Sequence, residues 1–302
     1  MDQVAALHWL QENILEFGGD PDNVTVLGHG HGAACVHLLM VSPMAKGLFQ
    51  RSILQSGSAL SPWAMARHGV EYAREAAKQL NCSFRHSGEL LSCLRSRTVD
   101  QLLAINLSVP AHLSAFGPSI DEVVVTSDYA SLLGKARGDI LLGVTRTEAP
   151  FLFTKSELRD GITTDRRDRL LRTLVRNLYS FHLVEIFLTI VNEYTDWARA
   201  DAHHPLSVLE GASDALGDAL VVAPLIRSGN LHPNPRTYLY VFTHPTEQGD
   251  YPERLGCVNG EDLPYVFGAP LQKLSIFPSN FSKAEISLSE TVMSYWTNFV
   301  KT

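Results

Sequence analysis

VTVLGHGHGAACVHLL, from Val24 to Leu39, runs from a β-branched stretch through three alternating glycines into an apolar helical pattern. Val24–Leu27 has the composition of a short buried strand, and the spacing from about Gly32 to Met40 predicts a helix. Gly28-His29-Gly30-His31-Gly32 between them is a sharp corner, where glycine is favoured because it enters left-handed backbone without penalty. Outward from that corner, three more strand-like runs follow at Arg51–Gln55, Ile140–Val144 and Tyr238–Phe242. Helical patterns fill the rest, at 3–16, 70–80, 87–95, 98–105, 165–178, 206–226 and 284–300. Strands alternating with helices imply parallel pairing through helical crossovers, hence an α/β fold. No repeat and no Pro/Gly/Ser linker divides the chain, so 1–302 is read as a single domain.

The composition is that of an ordinary globular protein, 45 % hydrophobic and 19 % charged over 302 residues. A net charge of −7 and the lack of a dense Lys/Arg cluster argue against nucleic acid as a partner. The basic piece Arg166–Arg176 carries leucines at helical spacing and is expected to be one solvated helix face. No run of about 18 apolar residues spans a membrane, and Met1-Asp2-Gln3 opens no signal peptide. Of four cysteines, Cys82 and Cys93 are close enough for a short disulfide, which spacing alone supports weakly. Cys35 is expected to be a small buried hydrophobe, and the state of Cys257 stays open. His29, His31, Cys35 and His37 invite a metal reading, but the helical offsets put them on different faces and no second ligand cluster accompanies them, so no metal site is expected.

FGGDPDNVTVLGHGHGAA (Phe17–Ala34) resembles the nucleophile region of the cholinesterase and type-B carboxylesterase family, which reads FGGDP, a strand, then G-E-S-A-G. LFQRSILQSGS (Leu48–Ser58), CLR (Cys93–Arg95), FGPSID (Phe116–Asp121) and LLGVTRTEA (Leu141–Ala149) continue the likeness in order. Within it, NLYSF (Asn177–Phe181), EYTDWA (Glu193–Ala198), VVAP (Val221–Pro224), GEDLPYVFG (Gly260–Gly268) and NFSKAEISLSETVMSYWTNFVKT (Asn280–Thr302) resemble the neuroligin branch. The resemblance implies an α/β-hydrolase fold whose N-terminal part, with its glycine-rich oxyanion loop, is missing, so that the chain is a partial domain.

It also implies where catalysis would reside. The family attacks with a serine, whose proton goes to a histidine oriented by a carboxylate. The serine position falls on Gly30, the histidine position on Asn259, and only the acid, Glu148, is retained. Neither a glycine nor an asparagine can take those roles near neutral pH. A silent adhesion protein is therefore expected. A divergent carboxylesterase, or another cholinesterase-like adhesion protein of the neurotactin or gliotactin kind, is the alternative.

Neuroligins bind neurexins through a calcium-bridged interface and dimerise through a helical bundle, so the resemblance implies a neurexin-like partner, a homodimer of the longer protein, a cell-surface location, and no cofactor beyond calcium at the partner interface. The partner-contact stretch would hold Arg146, Glu148 and Pro150, with Arg146 in place of glutamine and Pro150 in place of a leucine anchor. Glu148 has a second, structural reading, as a polar group paired with Arg146. The family's disulfide falls on Cys82 and Cys93, while Thr246 and Ser279 stand where a second would lie. Four glycosylation sequons occur; Asn81, Asn106 and Asn280 are the candidates, and Asn23 is expected to be too buried.

Overall fold

The computed structural model describes residues 1–198, 200–272, 277 and 280–301. Its centre is a sheet of β1 (Thr25–His29), β2 (Arg51–Gln55), β3 (Asp139–Thr145) and β4 (Thr237–Phe242), all parallel and in chain order. Parallel strands are buried on both faces and so need near-continuous apolar runs. In β3 six of seven residues are buried, and in β2 Ile53 and Leu54 are almost inaccessible. The expected strands are all present, within a residue or two at their ends.

Thirteen α-helices surround the sheet among the described residues. The first seven are α1 (Asp2–Asn13), α2 (His31–Leu39), α3 (Gly69–Gln79), α4 (Ser87–Arg95), α5 (Val99–Leu103), α6 (Tyr129–Leu132) and α7 (Lys155–Asp160). They continue with α8 (Thr164–Leu178), α9 (Leu183–Glu193), α10 (Pro205–Gly217), α11 (Ala223–Leu231), α12 (Leu263–Val266) and α13 (Lys283–Lys301). The pattern at 206–226 predicts one helix, and the structure interrupts it with a π-helical turn over Asp218–Val222. Pro224 has no N–H to continue the ladder, so the backbone widens there and resumes as α11.

The main core packs α8, α10 and α11 against one sheet face, with Leu171, Leu174, Leu209, Leu216 and Leu225 at most 1 % exposed. Among the described residues three helices start on capping boxes, where a hydroxyl and a carboxyl or amide satisfy free backbone N–H groups reciprocally: Thr98 with Gln101, Thr154 with Glu157, and Ser282 with Glu285. Glu285 is fully buried, and its carboxylate also accepts from the Glu247 backbone and the Tyr265 hydroxyl, which ties α13 to the loop after β4.

One expectation for α2 is corrected. Cys35 is only half-buried, whereas His37 is 1 % exposed and belongs to the core. The helix turns Ala33, Ala34, Val36, His37, Leu38 and Leu39 inward, and Cys35 falls at the margin of that face. Cys257 is a free, fully buried thiol, pushed up by desolvation.

Cys82 and Cys93 are joined, linking the end of α3 to the last turn of α4 across a separation of 11 residues. No residue of α4 is buried, so the crosslink contributes anchorage that packing does not supply. A loop this short is expected to be worth about 2–3 kcal/mol. Replacing both cysteines by alanine should lower the unfolding free energy in urea by that amount, and an unchanged midpoint would show that α4 is held by other contacts.

Candidate functional site

β1 ends at His29, and Gly30 turns the chain into α2 with φ 57° and ψ −119°. The corner is fixed by backbone contacts: the Gly30 N–H donates to the Gln55 carbonyl at 2.8 Å, and the Ala34 N–H donates back to the Gly30 carbonyl at 3.1 Å. A Cβ at Gly28 would lie 2.3 Å from the Gly32 carbonyl oxygen, and one at Gly57 would lie 2.4 Å from that of Gly30, so both positions require glycine. Gly30 differs. A Cβ there meets nothing within 4 Å, and the only penalty on a side chain is the positive φ. The corner thus keeps open the place where a nucleophile would project.

Glu148 follows the C-terminal end of β3 and is 3 % exposed. Its Oε1 accepts from the Thr145 backbone N–H at 2.6 Å and from the Ser56 hydroxyl at 2.9 Å. Its Oε2 accepts from the Asn259 side-chain amide at 2.6 Å. Asn259 is set in register by its own N–H, donated to the Thr147 carbonyl at 2.9 Å. α10 seals the group from above, since a Cβ on Gly217 would stand 3.3 Å from the Glu148 Cβ. Burial raises the carboxyl from its usual 4.5 to about 7, with the hydrogen bonds from Thr145, Ser56 and Asn259 pulling it partly back.

The three positions of the expected triad therefore converge, and what occupies them is a bare backbone, a carboxyl and an amide. Asn259 donates to Glu148 much as an imidazole N–H would, but it has no second nitrogen to accept a proton from a nucleophile. Ser56 is the hydroxyl nearest the carboxyl. It is 1 % exposed, has φ 52°, and is held by its N–H to the Gly143 carbonyl at 2.8 Å.

Beside this lies a second buried polar group. Gln55 Nε2 donates to the Tyr240 hydroxyl at 2.9 Å and to Asp262 Oδ2 at 3.1 Å, and the Tyr240 hydroxyl donates to the same oxygen at 3.1 Å. Tyr240 crosses directly over Gly143, where a Cβ would fall inside its ring. Burial raises the Asp262 carboxyl, and the nearby His29 is the largest influence lowering it.

Above the corner is a cavity of about 540 Å³, walled by Trp63, Phe151, Leu220 and Val221 and edged by His29, His31 and His112. The His31 ring lies against Trp63 with centroids 4.4 Å apart. Burial lowers the His112 pKa. His37 faces away into the core, where its Nδ1 accepts from the Ala59 N–H at 3.3 Å and burial lowers its pKa to about 3. His29 and His31 thus share a cavity that His37 does not reach.

The partner-contact expectation is corrected in part. Glu148 and Pro150 are buried, because the chain after β3 turns inward and Pro150 opens a short 3₁₀ turn over Pro150–Leu152. Arg146 alone of the three is at the surface. Its guanidinium pairs with Asp214 at 3.1 Å, so it is not the partner of Glu148. Asn23 is exposed, contrary to expectation, and its Oδ1 accepts from Arg51 at 2.6 Å. Asn81, Asn106 and Asn280 are exposed as well. Thr246 bonds to the Tyr265 hydroxyl at 3.1 Å, and Ser279 lies outside the described residues.

The carboxylesterase family matches residues 1–302 of this chain. The chain is 37 % identical to human neuroligin-2 over 315 residues, covering 100 % of the chain and 37 % of that protein. It is 37 % identical to mouse neuroligin-3 over 311 residues, with 100 % of the chain and 38 % of that protein covered. With neuroligin-1 of Caenorhabditis elegans it shares 34 % identity over 335 residues, 99 % of the chain and 42 % of that protein. The chain thus spans about two fifths of the length of these relatives.

The buried carboxyl has a measurable signature. Because its folded-state pKa of about 7 exceeds the ordinary 4.5, the folded chain holds this proton more tightly, and the stability that gives is complete below 4.5 and lost as pH rises to about 7. Glu148→Gln removes the titration, so its unfolding free energy should rise relative to wild type by on the order of 3 kcal/mol between the two ends of that window. Urea unfolding of both proteins at pH 4.5 and 7.5 measures it, and a difference that stays flat with pH would refute the shifted carboxyl.

Proposed function

The chain belongs to the carboxylesterase family, and from that premise we propose that it is a non-catalytic adhesion ectodomain of the neuroligin kind. The observation that carries this reading is the pairing of Glu148 Oε2 with the Asn259 amide at 2.6 Å, beside a corner whose central residue, Gly30, has no side chain. Catalysis by the family mechanism needs a nucleophile and a proton acceptor at those two places. The corner and the carboxyl then serve as packing that holds the ends of β1, β2 and β3 together. Cell-surface location and a cell-surface partner follow from similarity to neuroligins; among the described residues no helix is long and apolar enough to cross a membrane.

The partner in this proposal is neurexin-like and bound through bridging calcium. Arg146 does not forbid it. Asp214, 3.1 Å away, offsets its charge, and both side chains stay half-exposed at the rim of the surface. Rim charges govern association rate more than final affinity. In the longer protein, self-association would use α9, where Val184 is 60 % and Leu188 56 % exposed beside Phe181 at 65 %.

Biosensor binding of the full ectodomain to a neurexin laminin-like domain should saturate in calcium and vanish in EDTA. Arg146→Gln should change the affinity by less than about tenfold. A folded, monodisperse sample that binds in neither buffer would rule out the neurexin-like partner. Val184→Asp with Leu188→Asp should convert a dimer to a monomer in light scattering, and an unaltered dimer would exclude this face.

A further inference from the structure

The sheet has a second cleft, at the end where its strands begin. One wall runs from the last turn of α2 through the loop that enters β2, and the other is the turn that leads into β3. The walls touch at the base, where a Cβ on Gly138 would come within 2.4 Å of the Gln50 carbonyl oxygen, and the space between them is about 620 Å³. Since the strands are parallel, Gly30 and Glu148 lie at their opposite end, about 17 Å away for strands of five residues. The cleft is therefore separate from the site described above.

Its chemistry is two-sided. Met40, Val41, Phe49 and Leu132 give it an apolar interior. Lys46, Lys135 and Arg137 stand on it from both walls, all exposed, and among the described residues no carboxylate lines it. Three cations together are notable on a chain whose net charge is −7. Among the described residues none of them has an ion-pair partner. The nearest acid in sequence, Asp139, is already engaged by Arg51 at 3.7 Å and Arg236 at 3.6 Å. Within the cleft the Ser42 hydroxyl is buried, 4 % exposed as a residue, and has no hydrogen-bond partner among the described residues. Unpaired cations at the rim of an apolar slot complement one kind of molecule: an apolar chain ending in an anion. A purely apolar ligand would leave the cations unused, and a free anion would leave the interior wet.

We propose that this cleft binds a single-chain amphipathic anion, the chain lying between Met40, Val41, Phe49 and Leu132 and the carboxylate or phosphate head meeting Lys46, Lys135 and Arg137. Each buried methylene adds about fourfold in affinity, so binding tightens steeply with chain length. The cations select the sign of the head, and salt weakens that selection.

Titration calorimetry on the full chain tests this with dodecanoate, dodecyl phosphate, octanoate, inorganic phosphate and dodecyltrimethylammonium, each below its micellar concentration. Dodecanoate and dodecyl phosphate should bind saturably at one per chain, and comparing them shows whether the natural head is a carboxylate or a phosphate. Octanoate should bind at least about tenfold more weakly. Lys135→Glu with Arg137→Glu should weaken dodecanoate at least about tenfold. Arg169→Glu with Arg176→Glu, an equal charge reversal on exposed positions of α8, should leave it unchanged. Equal binding of the cationic amphiphile, equal loss in both double variants, or no saturable binding by protein with a normal thermal transition would overturn the proposal.

Discussion

The architecture depends on how closely the corner after β1 approaches the end of β2. The Gly30 carbonyl leaves no room for a side chain on Gly57, and the Gly32 carbonyl leaves none on Gly28. That approach lets the Gly30 N–H reach the Gln55 carbonyl and closes the top of the sheet. Next to it Ser56 sits in left-handed backbone, and its hydroxyl donates to Glu148. The turn is required here because β1, β2 and α2 cannot pack this closely without it. The requirement is steric and independent of any reaction.

Glu148 extends the same logic. A carboxyl 3 % exposed is costly unless it is fully hydrogen-bonded, and three donors from three separate stretches of chain converge on it. Replacing an imidazole by an amide preserves a donor toward that carboxyl while removing the acceptor that chemistry needs. On the proposed reading, in which Asn259 stands at the family's histidine position, the change is gentle for the fold and severe for catalysis. A hydrolase frame can persist in a protein with a different role because the groups that carry the reaction are few, and their structural duties are met by simpler residues.

The strands were legible in the sequence because apolar β-branched runs have few other uses in an α/β chain, and RSILQ at Arg51–Gln55 coincides with β2. The disulfide and the convergence of Gly30, Glu148 and Asn259 were reached only through likeness to a family, since no local rule joins residues so far apart in sequence. Side-chain exposure was harder. Pro150 and Glu148 look like surface loop residues but turn inward, and Asn23 looks like strand interior but stays in solvent, because both depend on how the chain enters and leaves the sheet. Ser56 stands in a visible Ser-Gly-Ser, yet nothing local says that its hydroxyl meets a carboxyl 92 residues away. Cys35 sits half-buried rather than in the core because a helical face can be assigned only to within about one position from its pattern.

The proposed reading places the frame of a serine hydrolase here without a nucleophile. Intact-mass spectrometry after prolonged exposure to excess fluorophosphonate tests it most directly, because that reagent needs an activated hydroxyl and no particular substrate. The wild-type mass should stay unchanged under conditions that fully label an active carboxylesterase. A stoichiometric adduct, on Ser56 or on any other side chain of the cavity, would contradict it.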